Sequence, residues 1–280
     1  MICITTALIW EAKPIIEFYS MKLYHESPPF KVYRGEDIVL VVSGTGKVNA
    51  ATATAHVLTL LDNLDDWAVV NIGICGTRSK NLPIGMPLLI NRVIDNGTGR
   101  EFFPDILLDH SMKEGNIMTY DRVIDEEADV PHDTQLLDME AAGFFEGAAH
   151  FLPPHRIQAI KVVSDYADAS IGIIDRHFIE KCIGDAMPYI DIFLTNLNTF
   201  LKTTLGNGLD HNDMVKLERI RSHLHLTSTQ YYQLKDMAYR YKLMNKRDLP
   251  DFQNIMDMEI KVKQEGKRAF DMIKAVLLDE

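Results

Sequence analysis

Cysteine is scarce in this chain of 280 residues. Cys3, Cys75 and Cys182 form an odd, scattered set with no CxxC pair. That pattern argues against a disulfide scaffold and a structural zinc site, and it fits a reducing compartment, so a cytoplasmic location is expected. Long apolar runs are missing too. The opening MICITTALIWE has no basic leader and meets Glu11 too early for a signal peptide or a membrane span, so it reads as a buried strand. Positive charge is also short, with a formal net charge of -11. Residues 211 to 280 hold 13 Lys and Arg against 11 Asp and Glu, which leaves 16 against 29 for residues 1 to 210. An acidic body repels a phosphate backbone, so nucleic acid is not expected as a partner, and without a spanning segment neither is a membrane. No internal repeat, metal site or cofactor motif is visible, and a small-molecule ligand stays open because a pocket answers to its local groups.

Hydrophobic residues make up 46% of the chain, enough for a large core without staples. The first two hundred residues alternate short apolar runs with helical patterns, as a sheet covered by helices on both faces requires. Strands are predicted at Ile2 to Ala7, Lys31 to Arg34, Ile38 to Ser43, Trp67 to Ile72, Met86 to Ile94 and Ile157 to Val163. Gly35-Glu36-Asp37 turns the second of these into a hairpin with the third. Helices are predicted at Val48 to Leu61, Glu140 to His150 and Ile174 to Lys202. Beyond Gly206-Asn207-Gly208 the pattern becomes purely helical, with Met214, Leu217, Ile220, Leu234, Met237, Ala238, Tyr241, Phe252, Ile255 and Met256 at helical spacing. The expected organisation is therefore a domain over residues 1 to 205 and an all-α extension over 206 to 280. Thr227 or Ser228 should cap the second helix of that extension.

Four stretches carry candidate chemistry. Ser43-Gly44-Thr45-Gly46-Lys47-Val48-Asn49 joins a strand to a helix start that favours an anion or a polar oxygen, although a plain turn explains it as well. Val70 to Thr77 is an apolar strand opening into two glycines, Gly73 and Gly76, where an α/β sheet gathers ligands or where a tight turn is needed. In Leu136-Leu137-Asp138-Met139-Glu140-Ala141-Ala142-Gly143, a carboxylate at the mouth of a small-residue helix could accept bonds from two neighbouring hydroxyls, or simply suit a first helical turn. Lys161-Val162-Val163-Ser164-Asp165-Tyr166-Ala167-Asp168 ends a buried strand on an acid, either a proton donor or a loop cap.

Taken together, SGTGKVNA, VNIGICGT, LLDMEAAGFFEGAAHF and KVVSDYADA resemble, in order and spacing, the purine nucleoside phosphorylase and methylthioadenosine/S-adenosylhomocysteine nucleosidase superfamily. The resemblance covers roughly residues 1 to 203. It implies a three-layer α/β/α fold with a mixed, partly barrel-like central sheet, and cleavage of a nucleoside's N-glycosidic bond without a cofactor. It places Asp165, following Ser164, on N7 of the purine and Glu140 on the ribose 2′ and 3′ hydroxyls, with Met139 packed beside the sugar. Nucleosidases of the family carry a glutamate near the first strand that activates water, and the step from Ala7 to Glu11 matches it. This favours hydrolysis of a nucleoside such as methylthioadenosine or S-adenosylhomocysteine.

Three positions depart from the family pattern. Ile74 follows Gly73 where serine is usual, Lys161 stands for an arginine that helps hold the nucleophile, and Val123 replaces a stacking phenylalanine in Gly115 to Ile124. Phe103, or its neighbour Phe102, is expected in a loop lining the pocket. The resemblance also implies a homodimer. Two rivals remain: phosphorolysis, with phosphate held by Lys161 and the Gly44 to Lys47 loop, and a nucleoside-binding regulatory protein with a decayed site and a partner-facing helical tail.

Overall fold

The computed structural model describes residues 1–25, 29–124, 130–167, 175–206, 209–245, 247–260 and 263–278. Two compact units divide the chain, Met1–Leu201 and Lys202–Glu280.

Unit one opens with strand β1 (Ile2–Thr6), helix α1 (Ile9–Phe18), β2 (Lys22–His25), β3 (Lys31–Arg34), β4 (Ile38–Val42) and helix α2 (Lys47–Leu60). It continues with β5 (Ala68–Thr77), β6 (Pro87–Asp95), β7 (Glu101–Phe102), β8 (Lys113–Thr119), β9 (Leu136–Asp138), helix α3 (Ala141–Ala148), β10 (Ile157–Asp165) and the long helix α4 (Arg176–Gly206). One mixed sheet runs β10-β6-β8-β9-β5-β1-β4-β3-β2, and β10 also pairs with β5. That extra pairing closes β5, β9, β8, β6 and β10 into a ring, while β1, β4, β3 and β2 extend from it as an open flap. The fold is thus the expected mixed α/β sheet with a barrel-like half.

Strands β1 and β10 are buried at almost every position and pair in parallel with β5, and continuous apolar runs are what parallel strands covered on both faces require. The hairpin of β3 and β4 forms with Gly35 N–H on the Ile38 carbonyl at 2.8 Å. Helix α1 and strands β2, β7, β8 and β9 were not among the elements expected from sequence. Ile174 and Asp168 lie outside the described residues, as do Asn207 and Gly208. Helices α2 and α3 pack almost backbone to backbone: a Cβ on Gly143 would stand 2.0 Å from the Lys47 carbonyl oxygen, and one on Gly147 would stand 2.7 Å from that of Ala51.

Unit two is helical in all its described elements: α5 (His211–Leu224), α6 (Ser228–Asn245), α7 (Gln253–Met256) and α8 (Lys263–Leu278). Its core gathers Leu217, Ile220, Leu234, Ala238, Phe270 and Ile273, the apolar periodicity seen in the sequence. Asp210 caps α5 by accepting from Asp213 N–H at 2.9 Å, and Thr227 with Gln230 closes the start of α6. No helix among the described residues is long and apolar enough to cross a membrane.

Candidate active site

The carboxyl ends of β1, β5, β9 and β10 surround a cavity of about 250 Å³. Glu11, Ile74, Val123, Met139, Glu140, Ser164 and Asp165 all line it, so residues from five separated stretches of the sequence meet at one place. Most of the wall is apolar, with a few convergent polar groups, as small-molecule sites generally are.

Glu11 sits in the first turn of α1 and reaches back to the strand end. Its Oε2 accepts from Ala7 N–H at 2.9 Å and Leu8 N–H at 2.8 Å, and its Oε1 accepts from Ile74 N–H at 2.9 Å. Burial raises its pKa, while Lys161 and the three amides pull the other way without cancelling the rise. Gly73 is needed here, because a Cβ would lie 2.8 Å from Glu11 Oε1. Ile74 contributes its amide rather than its side chain to the carboxylate.

Asp165 stands where β10 slips register against Gly76, an irregularity that re-aims a side chain. Ser164 Oγ donates to its Oδ2 at 2.6 Å and Ala167 N–H to its Oδ1 at 2.8 Å. Gly76 leaves room for it, since a Cβ there would come within 2.9 Å of Oδ1.

Glu140 occupies the residue before α3 and accepts from Gly46 N–H at 2.8 Å, at the start of α2. The N–H of Gly46 in the Ser43 to Asn49 turn is thus taken by a carboxylate of the chain itself. Burial and the neighbouring Asp138 push its pKa up to about 7, against the opposing effects of Lys161 and the Gly46 amide.

Lys161 does not line the cavity but lies behind it, 1% exposed, with Nζ 2.8 Å from Asp138 Oδ2. Burial lowers its pKa, but the attraction of Asp138, Glu140 and Glu11 prevails and leaves it raised. One buried ammonium thus faces three carboxylates. Lys47, the other candidate cation, is held by Asp95 at 2.5 Å and Asp121 at 2.9 Å.

Phe103 is not brought into the cavity; it is 59% exposed, and Phe102 packs on Phe145 instead. Val123 does reach the cavity wall, at a largely exposed position. Asp138, Thr45, Arg122, Ile124 and Ala167 also line the wall and were not assigned roles from sequence. Their signal was adjacency: each lies within two residues of a position that was singled out. Among the described residues no cluster of three or more His, Cys, Asp and Glu side chains is placed to hold a metal ion.

Residues 1–133 match the sequence profile of the phosphorylase superfamily. No curated protein sequence matches the chain. Among solved structures, the 5′-methylthioadenosine/S-adenosylhomocysteine nucleosidase of Helicobacter pylori, bound to butyl-thio-DADMe-Immucillin-A, superposes with a TM-score of 0.61 at 17% identity, covering 69% of this chain and 97% of that one. Futalosine hydrolase of the same organism gives the same figures: TM-score 0.61, 17% identity, 69% and 97% coverage. The nucleosidase of Colwellia psychrerythraea, in complex with adenine, gives 0.56 at 22% identity, with 71% and 95% covered. At these identities the likeness establishes the fold.

Proposed function

We propose, on the premise that residues 1–133 carry the phosphorylase-superfamily pattern and that the chain has the fold of the nucleosidases, that this protein hydrolyses the N-glycosidic bond of a purine nucleoside. The observation that carries the reading is the convergence of Glu11, Glu140 and Asp165 on one cavity. In the reaction the bond from the sugar carbon to the base nitrogen breaks and a bond to water oxygen forms. Asp165 gives a proton to the departing purine, Glu11 accepts one from the attacking water, and Glu140 holds the sugar hydroxyls while its negative charge stabilises the oxocarbenium-like transition state. The raised pKa of Glu11 suits a base, because a poised carboxylate takes a proton more readily than an ordinary one. Methylthioadenosine and S-adenosylhomocysteine are the substrates we favour.

Hydrolysis is preferred to phosphorolysis on electrostatic grounds. Lys161 is committed to Asp138, Lys47 to Asp95 and Asp121, and the α2 N-terminus to Glu140. Of the described residues lining the cavity, Glu11, Asp138, Glu140 and Asp165 are acidic and Arg122 alone is basic, so a phosphate would meet more carboxylates than cations. A homodimer belongs to the same reading, supported by the exposed apolar side chains Ile9, Trp10 and Phe18 on α1. The test is methylthioadenosine incubated in phosphate-free buffer. Free base and free sugar should appear at a rate that added phosphate does not raise. Base release only with phosphate, yielding a sugar phosphate, would assign phosphorolysis, and calorimetric binding without base release would assign a binding protein.

A further inference from the structure

We propose that Thr119 and Asp138 cap helix α3 in place of Glu140, and in doing so keep the Glu140 carboxylate turned into the cavity. The first N–H groups of a helix have no partner within it, and the residue at the cap ordinarily supplies one from its own side chain. Glu140 holds that position and makes no such bond. The amides are met from elsewhere: Ala141 N–H donates to Asp138 Oδ2 at 2.8 Å, and Ala142 N–H donates to Thr119 Oγ1 at 3.0 Å. Thr119 Oγ1 in turn donates to Asp138 Oδ1 at 2.7 Å, so the two side chains form one unit. Lys161 Nζ, on β10, anchors that unit through Asp138 Oδ2 at 2.8 Å. Thr119 is fully buried at the end of β8, and Asp138 is buried at the end of β9.

With its own helix satisfied, Glu140 reaches outward to Gly46 N–H of the next helix at 2.8 Å. That reach depends on α2 and α3 meeting through Gly143, where the Lys47 carbonyl leaves no room for a Cβ. Thr119 is therefore a positioning residue. Removing its hydroxyl orphans the Ala142 amide, and the carboxylate best placed to replace it is that of Glu140, folding back onto its own helix and away from the ligand. The consequence for the sugar diol rests on the nucleosidase reading; the geometry of Glu140 does not.

Two readouts separate the claims. The Glu140 carboxyl, followed by carbon NMR in the full chain, should titrate near pH 7 in the wild type. In Thr119→Val it should titrate well lower, because helix N-terminal amides favour the ionised form, and Thr119→Ser should restore the wild-type midpoint. An unchanged midpoint in Thr119→Val overturns the proposal, and Thr119→Ala gives the same reading should the valine variant not fold. The second readout is kcat/KM for methylthioadenosine against its 2′,3′-dideoxy analogue. The wild type should prefer the ribose by about ten-fold or more, the weight of a hydrogen bond to a charged group. Thr119→Val should lose that preference and Thr119→Ser keep it, whereas a general loss of structure lowers both substrates alike. A wild type that ignores the diol while the NMR shift appears would sink the assigned role of Glu140 in catalysis and leave the capping by Thr119 and Asp138 intact.

Discussion

Glu11 serves two structural neighbours at once, closing the start of α1 through Ala7 and Leu8 and joining α1 to β5 through Ile74. The glycine opposite is what lets it do so. Gly73→Ala would press a methyl group against Oε1, which stands 2.8 Å from the Cβ position. Turnover of methylthioadenosine should fall about 10²-fold, the cost of misplacing a reacting group by about an ångström, while ligand affinity measured by calorimetry changes little. Unaltered kcat would mean that Glu11 is not the base. Glu140 gives a pH signature. Its folded pKa is raised, so the folded form keeps a proton that the unfolded chain has already lost, and stability present in acid disappears as pH rises through about 7. Melting curves of the wild type between the ordinary carboxylate range and pH 7 should show this slope, about 1.4 kcal/mol per pH unit at most, and Glu140→Gln should flatten it. Parallel curves for the two proteins would contradict the assignment. At this scale the sequence was informative wherever a cavity-lining acid followed an apolar run, as Glu140 and Asp165 do. It was silent on the partner of Lys161, because Asp138 lies 23 positions away and only the pairing of folded strands brings them together.

At the scale of elements, continuous apolar runs made β1, β4, β5, β6 and β10 readable, and the glycine turn gave the β3 and β4 hairpin. Helix α1 was not readable because it begins without a polar cap and holds Pro14 inside, while Glu11 supplies the missing acceptor from its first turn. β8 was hidden by its Lys-Glu-Gly-Asn start, which lacks strand propensity and is held by β6, with β9 joining from Ile117. β7 and β9 are too short for any period to show. The small residues of α3 were visible, but their purpose is the contact with α2. Gly143→Ala would force a methyl into the Lys47 carbonyl, and urea unfolding should register a loss of about 1–3 kcal/mol, the usual cost of overpacking, or more. A neutral effect would mean that the helices separate freely.

For the molecule as a whole, Met1–Leu201 and Lys202–Glu280 bury separate cores, while the sequence turns from mixed α/β to purely helical patterning beyond Gly206. Every described residue lining the candidate site belongs to Met1–Leu201. A chain ending at residue 205 should therefore release base with a kcat/KM close to that of the full chain, as read by a coupled assay for free adenine. Loss of activity in a soluble, folded truncation would assign the helical extension a part in catalysis. What the sequence conveyed least was the site's electrical balance, since the buried ammonium and three carboxylates are brought together from α1, β9, the start of α3 and β10 rather than held in any one segment.

The division of labour between Asp165 and Glu11 is most directly tested by free base released from methylthioadenosine in phosphate-free buffer by the wild type, Asp165→Asn and Glu11→Gln. The wild type should turn over, and each variant should lose about 10²-fold or more in kcat while still binding the nucleoside. Base release by either variant at the wild-type rate, or no release by the wild type from any purine nucleoside, would contradict the account.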